Sequence, residues 1–409
     1  MSEGGPAGAN GRRALVLLVS AIVFVDTIFY TAIEPLLPHY TRALHLGKSG
    51  AGILVAAYAV GTLLGSIPGG LVASRSGMRV AVVAGLALMS VATLTFGFAH
   101  SAVLLDSARF VQGIGGAFTW AGGLAWLASG TPKENRAAAL GVAFASAIVG
   151  SLFGPVVGAV ASRVGTGPTF AGATAAAAVL VVSSLFVPVP TGAESQSLQS
   201  AVSSLRDRRL LGGLWLTILV GLAFGVIDVL VPLRLSRLGA GPIVIAAAFV
   251  GASAIDAVLA PLVGRFADRR GRLLPVRMSV FFAVLVSLLL PFVAPAAVLV
   301  AVVVVGDSAF GTIFVPASAL VSDGAEGRNL HQGLAFGMSN LAWAGGQAVA
   351  AAGAGALAQA TSDGVPYGIV AATFGLTLLL VSVRRPDRAA AGQVLGLSEE
   401  ARDRDPSRR

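Results

Sequence analysis

The 409-residue chain contains no cysteine. That excludes a disulfide framework, a thiolate metal site and a cysteine nucleophile, and it leaves cysteine usage silent about compartment. Charge is scarce too: Asp, Glu, Lys and Arg make up 11% of the residues, against roughly a quarter in soluble domains. A chain of this length with so few charges cannot cover a water-facing surface. Histidine is limited to His39, His45, His100 and His331, with no spacing that would hold a metal. No H-E-x-x-H or G-x-S-x-G occurs, so an intramembrane hydrolase lacks its machinery. Gly47-Lys48-Ser49 has the tail of a phosphate loop, but Arg42 stands where the leading glycine belongs, so no nucleotide site is implied.

What the chain has instead is apolar length. Hydrophobic residues make up 56% of it, and about 20 consecutive apolar residues suffice to cross the hydrocarbon core. That ruler yields twelve candidate spans, near 14–37, 49–73, 79–99, 103–128, 137–161, 168–188, 210–233, 242–266, 273–294, 296–321, 331–358 and 365–383. The runs are continuously apolar, without the alternation of a barrel wall, so they read as helices. The expected fold is therefore an all-α polytopic membrane protein with two six-helix halves, residues 1–188 and 210–388. A Ser-, Gln- and Pro-bearing linker (189–209) joins them, and a polar, mobile tail (389–409) follows. The first run is too long for the h-region of a secretory signal and has no small-residue cleavage site after it.

The net charge of +9 does not indicate nucleic acid, because the basic residues lie in short clusters between apolar runs. Placing both termini in the cytoplasm gives that side 22 of the 28 Lys and Arg, against five in the opposite loops. An asymmetry of this size fixes the expected orientation in the cell membrane.

Two loops repeat. Gly70-Leu71-Val72-Ala73-Ser74-Arg75-Ser76-Gly77 and Gly264-Arg265-Phe266-Ala267-Asp268-Arg269-Arg270-Gly271 share the skeleton G-x-x-A-x-R-x-G. Each falls between the second and third spans of its half, and a six-plus-six repeat is the mark of a two-half secondary transporter. The element resembles the inner-loop signature of the major facilitator superfamily, G-x-L-x-D-R-x-G-R-R. Gly70, Gly77, Gly264 and Gly271 would let helices close, and Arg75 and Arg269 would face the anionic inner leaflet. Ser74 replaces the acid that Asp268 supplies, so the first loop should be the weaker latch. The fifth span carries Gly141, Gly150, Gly154, Pro155 and Gly158, similar to the family's antiporter motif with Ala159 in place of its last glycine. The resemblance associates that seam with exporters that exchange substrate for protons. Arg109-Phe110-Val111-Gln112-Gly113 resembles an R-x-x-Q-G element linked there to proton transfer. Arg109 is the one basic residue placed inside a span; it needs a partner or a wet cavity, unless it snorkels to the edge marked by Asp106.

Carboxylates inside the spans carry the chemistry. Asp26 and Glu34 lie in the first span, Asp228 in the seventh and nearer its outer edge, Asp256 in the eighth and Asp307 in the tenth. A charge at the bilayer centre costs at least ~3 kcal/mol on insertion scales, so such groups are functional candidates. Burial favours the neutral form of a carboxyl, which can then carry a proton, pair with a cation, or alternate. DTIFYTAIEPLLPHY and GDSAFGTIFVPASALVSD resemble the vesicular amine transporter branch of the drug:proton antiporters. That resemblance gives Asp26 amine recognition and Asp307 proton coupling. The branch's further acid in the eleventh span is Asn340 here, which weakens amine specificity. Tyr30, Tyr58, Trp120, Trp126, Trp343 and Gln347 could line a pocket, although Trp and Tyr also form interfacial belts; Trp343 shares a helix face with Asn340.

The expected function is a proton-coupled exporter of small amphipathic, cationic or neutral compounds, without enzymatic activity. Its partners are the substrate, protons and the lipid bilayer. No nucleic acid, metal or cofactor is expected, and the chain is expected to act as a monomer. The rivals are a sugar or metabolite importer or uniporter, and a non-transporting membrane sensor or scaffold.

Overall fold

A computed structural model describes residues 9–189, 202–271, 273–330 and 332–383. Most of the expected linker and all of the expected tail lie outside them, as does the side chain of Asp268. The first half contains α1 (Ala9–Thr31), α2 (Lys48–Arg75), α3 (Met78–Gly97), α4 (Ala102–Gly130), α5 (Lys133–Val164) and α6 (Thr166–Phe186). The second contains α7 (Arg208–Arg237), α8 (Pro242–Arg270), α9 (Leu273–Leu289), the interrupted α10 (Ala296–Glu326), α11 (Gln332–Ala360) and α12 (Gly364–Val383). Among the described residues there is no strand.

Eleven of these spans are long and apolar enough to cross a membrane. The twelfth, α4, has the length, at 29 residues, but is diluted by its glycines as well as by Asp106, Arg109 and Gln112. It can afford them because it packs chiefly against α2 and α3 and buries Arg109 and Gln112 there.

Two spans depart from the expected continuous helices. The first stops at Thr31, and residues 32–36 form turns before a short helix at Leu37–Ala43. Pro35 has no N–H to donate and disfavours helix at the residue before it, Glu34. Glu34 therefore sits in a turn and not on the first spanning helix. The tenth span comes in three pieces, Ala296–Gly306, Ser308–Gly311 and Phe314–Glu326. Pro316 cannot donate to the carbonyl of Thr312, which is where the second interruption falls. The first interruption places Asp307 between two helical pieces.

The repeated loops form matching turns. Gly77 (φ 105°) and Gly271 (φ 81°) occupy the left-handed region that a side chain would strain. The symmetry extends beyond the motif. Arg79, at the start of α3, donates to the carbonyl of Val187 after α6, and Arg277 in α9 donates to Val381 in the last turn of α12 (2.9 Å). Each guanidinium thus covers the negative end of the last helix in its half.

The two ends of the bundle are packed differently. Toward the turns that precede α2 and α12, here termed the Asp363 face, one apolar core unites both halves. It includes Leu36, Ala51 and Leu54 together with Val226, Leu230, Ala351 and Ala358. There the backbones of α2 and α11 touch at Gly52 and Gly355, where a Cβ would overlap the opposite chain. Toward the repeated loops each half has its own core, around Leu15, Leu86 and Trp126 in one and around Leu210, Val321 and Ala335 in the other. Among the described residues, a Cβ at Gly70 would meet nothing within 4 Å, and one at Gly264 only Val315 at 3.8 Å. The tight closure expected at these two glycines is therefore absent in this conformation. The halves share one core at the Asp363 face and keep two cores toward the repeated loops, where Phe336 of the second half still packs against the core of the first.

Candidate functional site

Between the halves lies a cavity of about 320 Å³. Five acids line it: Asp26, Glu34, Asp228, Asp256 and Asp307. Among the described residues no Lys, Arg or His does. Its walls are otherwise largely aromatic and small, with Tyr30, Tyr58, Trp120, Phe144, Phe336 and Trp343 among the nine rings. Such a lining suits a compact cation with apolar bulk, because aromatic faces attract positive charge.

Asp26 is held from two sides. Tyr58 Oη donates to Oδ1 (3.0 Å) and Trp120 Nε1 to Oδ2 (2.6 Å). The side chain needs room beside α4, and Gly116 provides it: a Cβ there would stand 2.7 Å from Oδ1. With a donor on each oxygen, the carboxylate is oriented and its charge is partly spread.

The second half presents its acids otherwise. Asp256 Oδ1 and Asp307 Oδ1 are buried with no hydrogen-bond partner among the described residues, and Glu34 Oε2 is in the same state. Asp256 packs onto α10 at Gly311, where a Cβ would overlap its carboxylate. Buried carboxylate oxygens without donors are costly as anions, and a proton or an arriving cation removes the cost.

Asp228, placed nearer the outer edge of its span by the sequence, faces the cavity. It accepts from Tyr30 Oη (2.7 Å) and Gln347 Nε2 (3.2 Å), tying α1 of one half to α7 and α11 of the other. Tyr30 lies between the rings of Tyr58 and Trp343, with centroids at 5.1 and 5.3 Å. The signal for Asp228 was present as a stripe. Gly221 and Gly225 precede it on one helix face, and both press against the α11 backbone near Trp343 and Gln347.

Arg109 does not snorkel and does not line the cavity. It is 1% exposed, and its guanidinium donates to the carbonyls of Phe29 (2.9 Å) and Tyr30 (3.1 Å). These belong to the last turn of α1, whose carbonyls have no helical partners and carry the negative end of the dipole. The guanidinium also lies over the ring of Tyr58, at 4.9 Å. Gln112 accepts from Arg109 (3.3 Å) and donates to Thr93 (3.0 Å). The R-x-x-Q pair thus caps the broken first span directly behind the cavity wall.

The remaining expected positions divide clearly. Asn340 and Trp343 line the cavity together. Trp126 does not: it is buried at the repeated-loop end, donating to Pro188 O (3.0 Å). Gly150, Gly154 and Gly158 of α5 press onto α1 and the turn after it, at Phe24, Thr31 and Ala32, forming a seam inside the first half, whereas a Cβ at Gly141 would meet nothing within 4 Å among the described residues. Ser74 Oγ donates within its own helix, to Leu71 O (3.0 Å). Phe144 and Phe336 had not been singled out from the sequence. Their rings meet across the halves at 4.9 Å, on the repeated-loop side, and nothing in an apolar run marks a phenylalanine as cavity-facing.

The sequence profile of the Major Facilitator Superfamily matches residues 19–330. The chain is 28% identical over 178 residues to multidrug resistance protein 2 of Bacillus subtilis (strain 168), covering 44% of each protein. It is 34% identical over 158 residues to the probable vesicular acetylcholine transporter-B of Danio rerio, covering 36% of this chain and 32% of that one. The matched part is thus less than half the length of these relatives. Among solved structures, a D-xylose-proton symporter superposes with a TM-score of 0.72 at 17% identity, over 92% of this chain and 98% of the other. The nucleoside transporter NupG gives 0.70 at 13% identity, over 90% and 99%. At these identities the superpositions speak for the fold alone.

Proposed function

Because the chain belongs to the major facilitator superfamily, we propose that it is a proton-coupled exporter of small amphipathic cations and related neutral compounds, working by alternating access. The observation that carries the reading is a cavity between two six-helix halves, lined by five acids and aromatic rings and by no basic side chain among the described residues. An anionic cargo would meet only repulsion there. In this reading Asp26, oriented by Tyr58 and Trp120, anchors the cation. Asp307, with Asp256 and Glu34 nearby, exchanges a proton for it. Proton and cargo compete for one set of carboxylates, so each displaces the other. The proton gradient supplies about 1.4 kcal/mol per pH unit and ~2.3 kcal/mol per charge per 100 mV.

The similarity to a multidrug resistance protein and to vesicular acetylcholine transporters supports cationic cargo. The glycine seam of α5, which resembles an antiporter motif, supports export. The charge asymmetry supports a cell-membrane location with both termini and the repeated loops cytoplasmic. The conformation described above is then the inward-facing one. The domain reading follows: halves at 1–188 and 210–388, a cytoplasmic linker at 189–209 and a tail at 389–409.

Proteoliposomes with an imposed pH gradient test this. A lipophilic cation such as tetraphenylphosphonium should move against the proton flow, and collapse of the gradient should stop it. Movement only in the direction of protons, or of sugars and not cations, would establish the rival importer.

A further inference from the structure

The Asp363 face is held by one carboxylate between two cations. Asp363, in the turn between α11 and α12, pairs with Lys48 at the start of α2 and with Arg237 at the end of α7. Lys48 Nζ also donates to Ala358 O (3.1 Å), and the Ser49 amide donates to Gln359 Oε1 (2.9 Å). Lys48 belongs to the first half, whereas Arg237 and Asp363 both belong to the second. One ion pair therefore crosses the seam and the other does not.

The side chain of Asp363 is only 9% exposed, and a buried carboxylate that loses every partner is strongly penalised. Arg237, with a side chain 53% exposed, rides on the same half and remains when Lys48 leaves. We propose that Lys48–Asp363 is the catch that keeps this face shut, and that Arg237 holds the carboxylate once Lys48 departs. The two cations then act on the open–closed equilibrium in opposite directions. Removing Lys48 deletes an attraction present only in the closed form. Removing Arg237 leaves Asp363 with a partner when closed and with none when open, so closure gains.

The catch is not an acid switch. Burial pushes the Asp363 carboxyl up, but the hydrogen bonds and charges of Lys48 and Arg237 outweigh it and leave the group below its ordinary value. Among the described residues, Tyr367 of α12 also faces it, and Arg234 of α7 faces that tyrosine. A depressed carboxyl contributes closure above its ordinary value and loses it only as pH falls through the lowered one. Between about pH 5 and 8 the catch is therefore pH-independent.

The proposal does not depend on the cargo, and the absence of native cysteine makes its test direct. Ala43→Cys and Ala294→Cys place spin labels at exposed sites on this face, one in each half. In purified protein, Lys48→Gln and Asp363→Asn should each raise the ratio of open to closed distances by about three- to fivefold, as for a partly exposed ion pair. Arg237→Gln should leave that ratio at or below the wild-type value. A rise with Arg237→Gln comparable to that with Lys48→Gln, or no rise with Lys48→Gln, would overturn the proposal.

Discussion

The two walls of the cavity carry the same functional group in opposite settings. On the first half, Asp26 has a donor on each oxygen, from Tyr58 and Trp120. On the second, Asp256 and Asp307 each leave a buried oxygen without a donor among the described residues. A carboxylate with two donors is stabilised as an anion and can wait for a cation, whereas one without donors gains most from a proton or a positive ligand. The contrast teaches that the number of acids matters less than how many of their oxygens the protein has already satisfied. In the proposed reading the donor-held Asp26 anchors the cation, and the donor-poor acids, Asp256 and Asp307 with Glu34 of the first half, exchange the proton.

The largest effect should come from removing the exchange. Asp307→Asn is expected to reduce gradient-driven transport about 100-fold, the upper range of coupling between linked sites, while cargo still equilibrates down its own gradient. Flux assays with and without a pH gradient measure both quantities. Asp26→Asn should instead raise KM about tenfold, because a charge-assisted contact to the cargo is lost, and should leave the coupling ratio intact. Trp120→Phe removes one of the two donors on Asp26 and should raise KM about threefold, the worth of one hydrogen bond. The smallest change is the sharpest control. Asp228 lies on the second half but has partners, Tyr30 and Gln347. Asp228→Asn keeps an acceptor for Tyr30 and should alter coupling by less than about threefold. If it instead uncoupled transport as fully as Asp307→Asn, position in the second half, and not the lack of donors, would decide the role.

The twelve spans were legible because apolar length is written residue by residue, and the repeat because Gly77 and Gly271 each meet a backbone requirement that no side chain satisfies. Asp26 and Asp307 stood out because charge inside an apolar run is costly wherever it points. What stayed hidden depended on direction and on partners. Arg109 was visible as an anomaly, but its task depends on α1 ending at Thr31, which exposes the carbonyls it caps. The place of Asp228 depends on how α7 is rotated against α11. Phe144 and Phe336 are ordinary members of apolar helices until the two halves are brought together.

The division of labour between the walls can be tested without a membrane. Tetraphenylphosphonium can be added to purified protein in weak buffer while proton release and binding are followed together. The wild-type protein should release protons as the cation binds. Asp307→Asn should bind with little release, and Asp26→Asn should bind more weakly but release as many protons per cation bound. Binding without proton release in the wild type, or release lost in Asp26→Asn and kept in Asp307→Asn, would contradict the account.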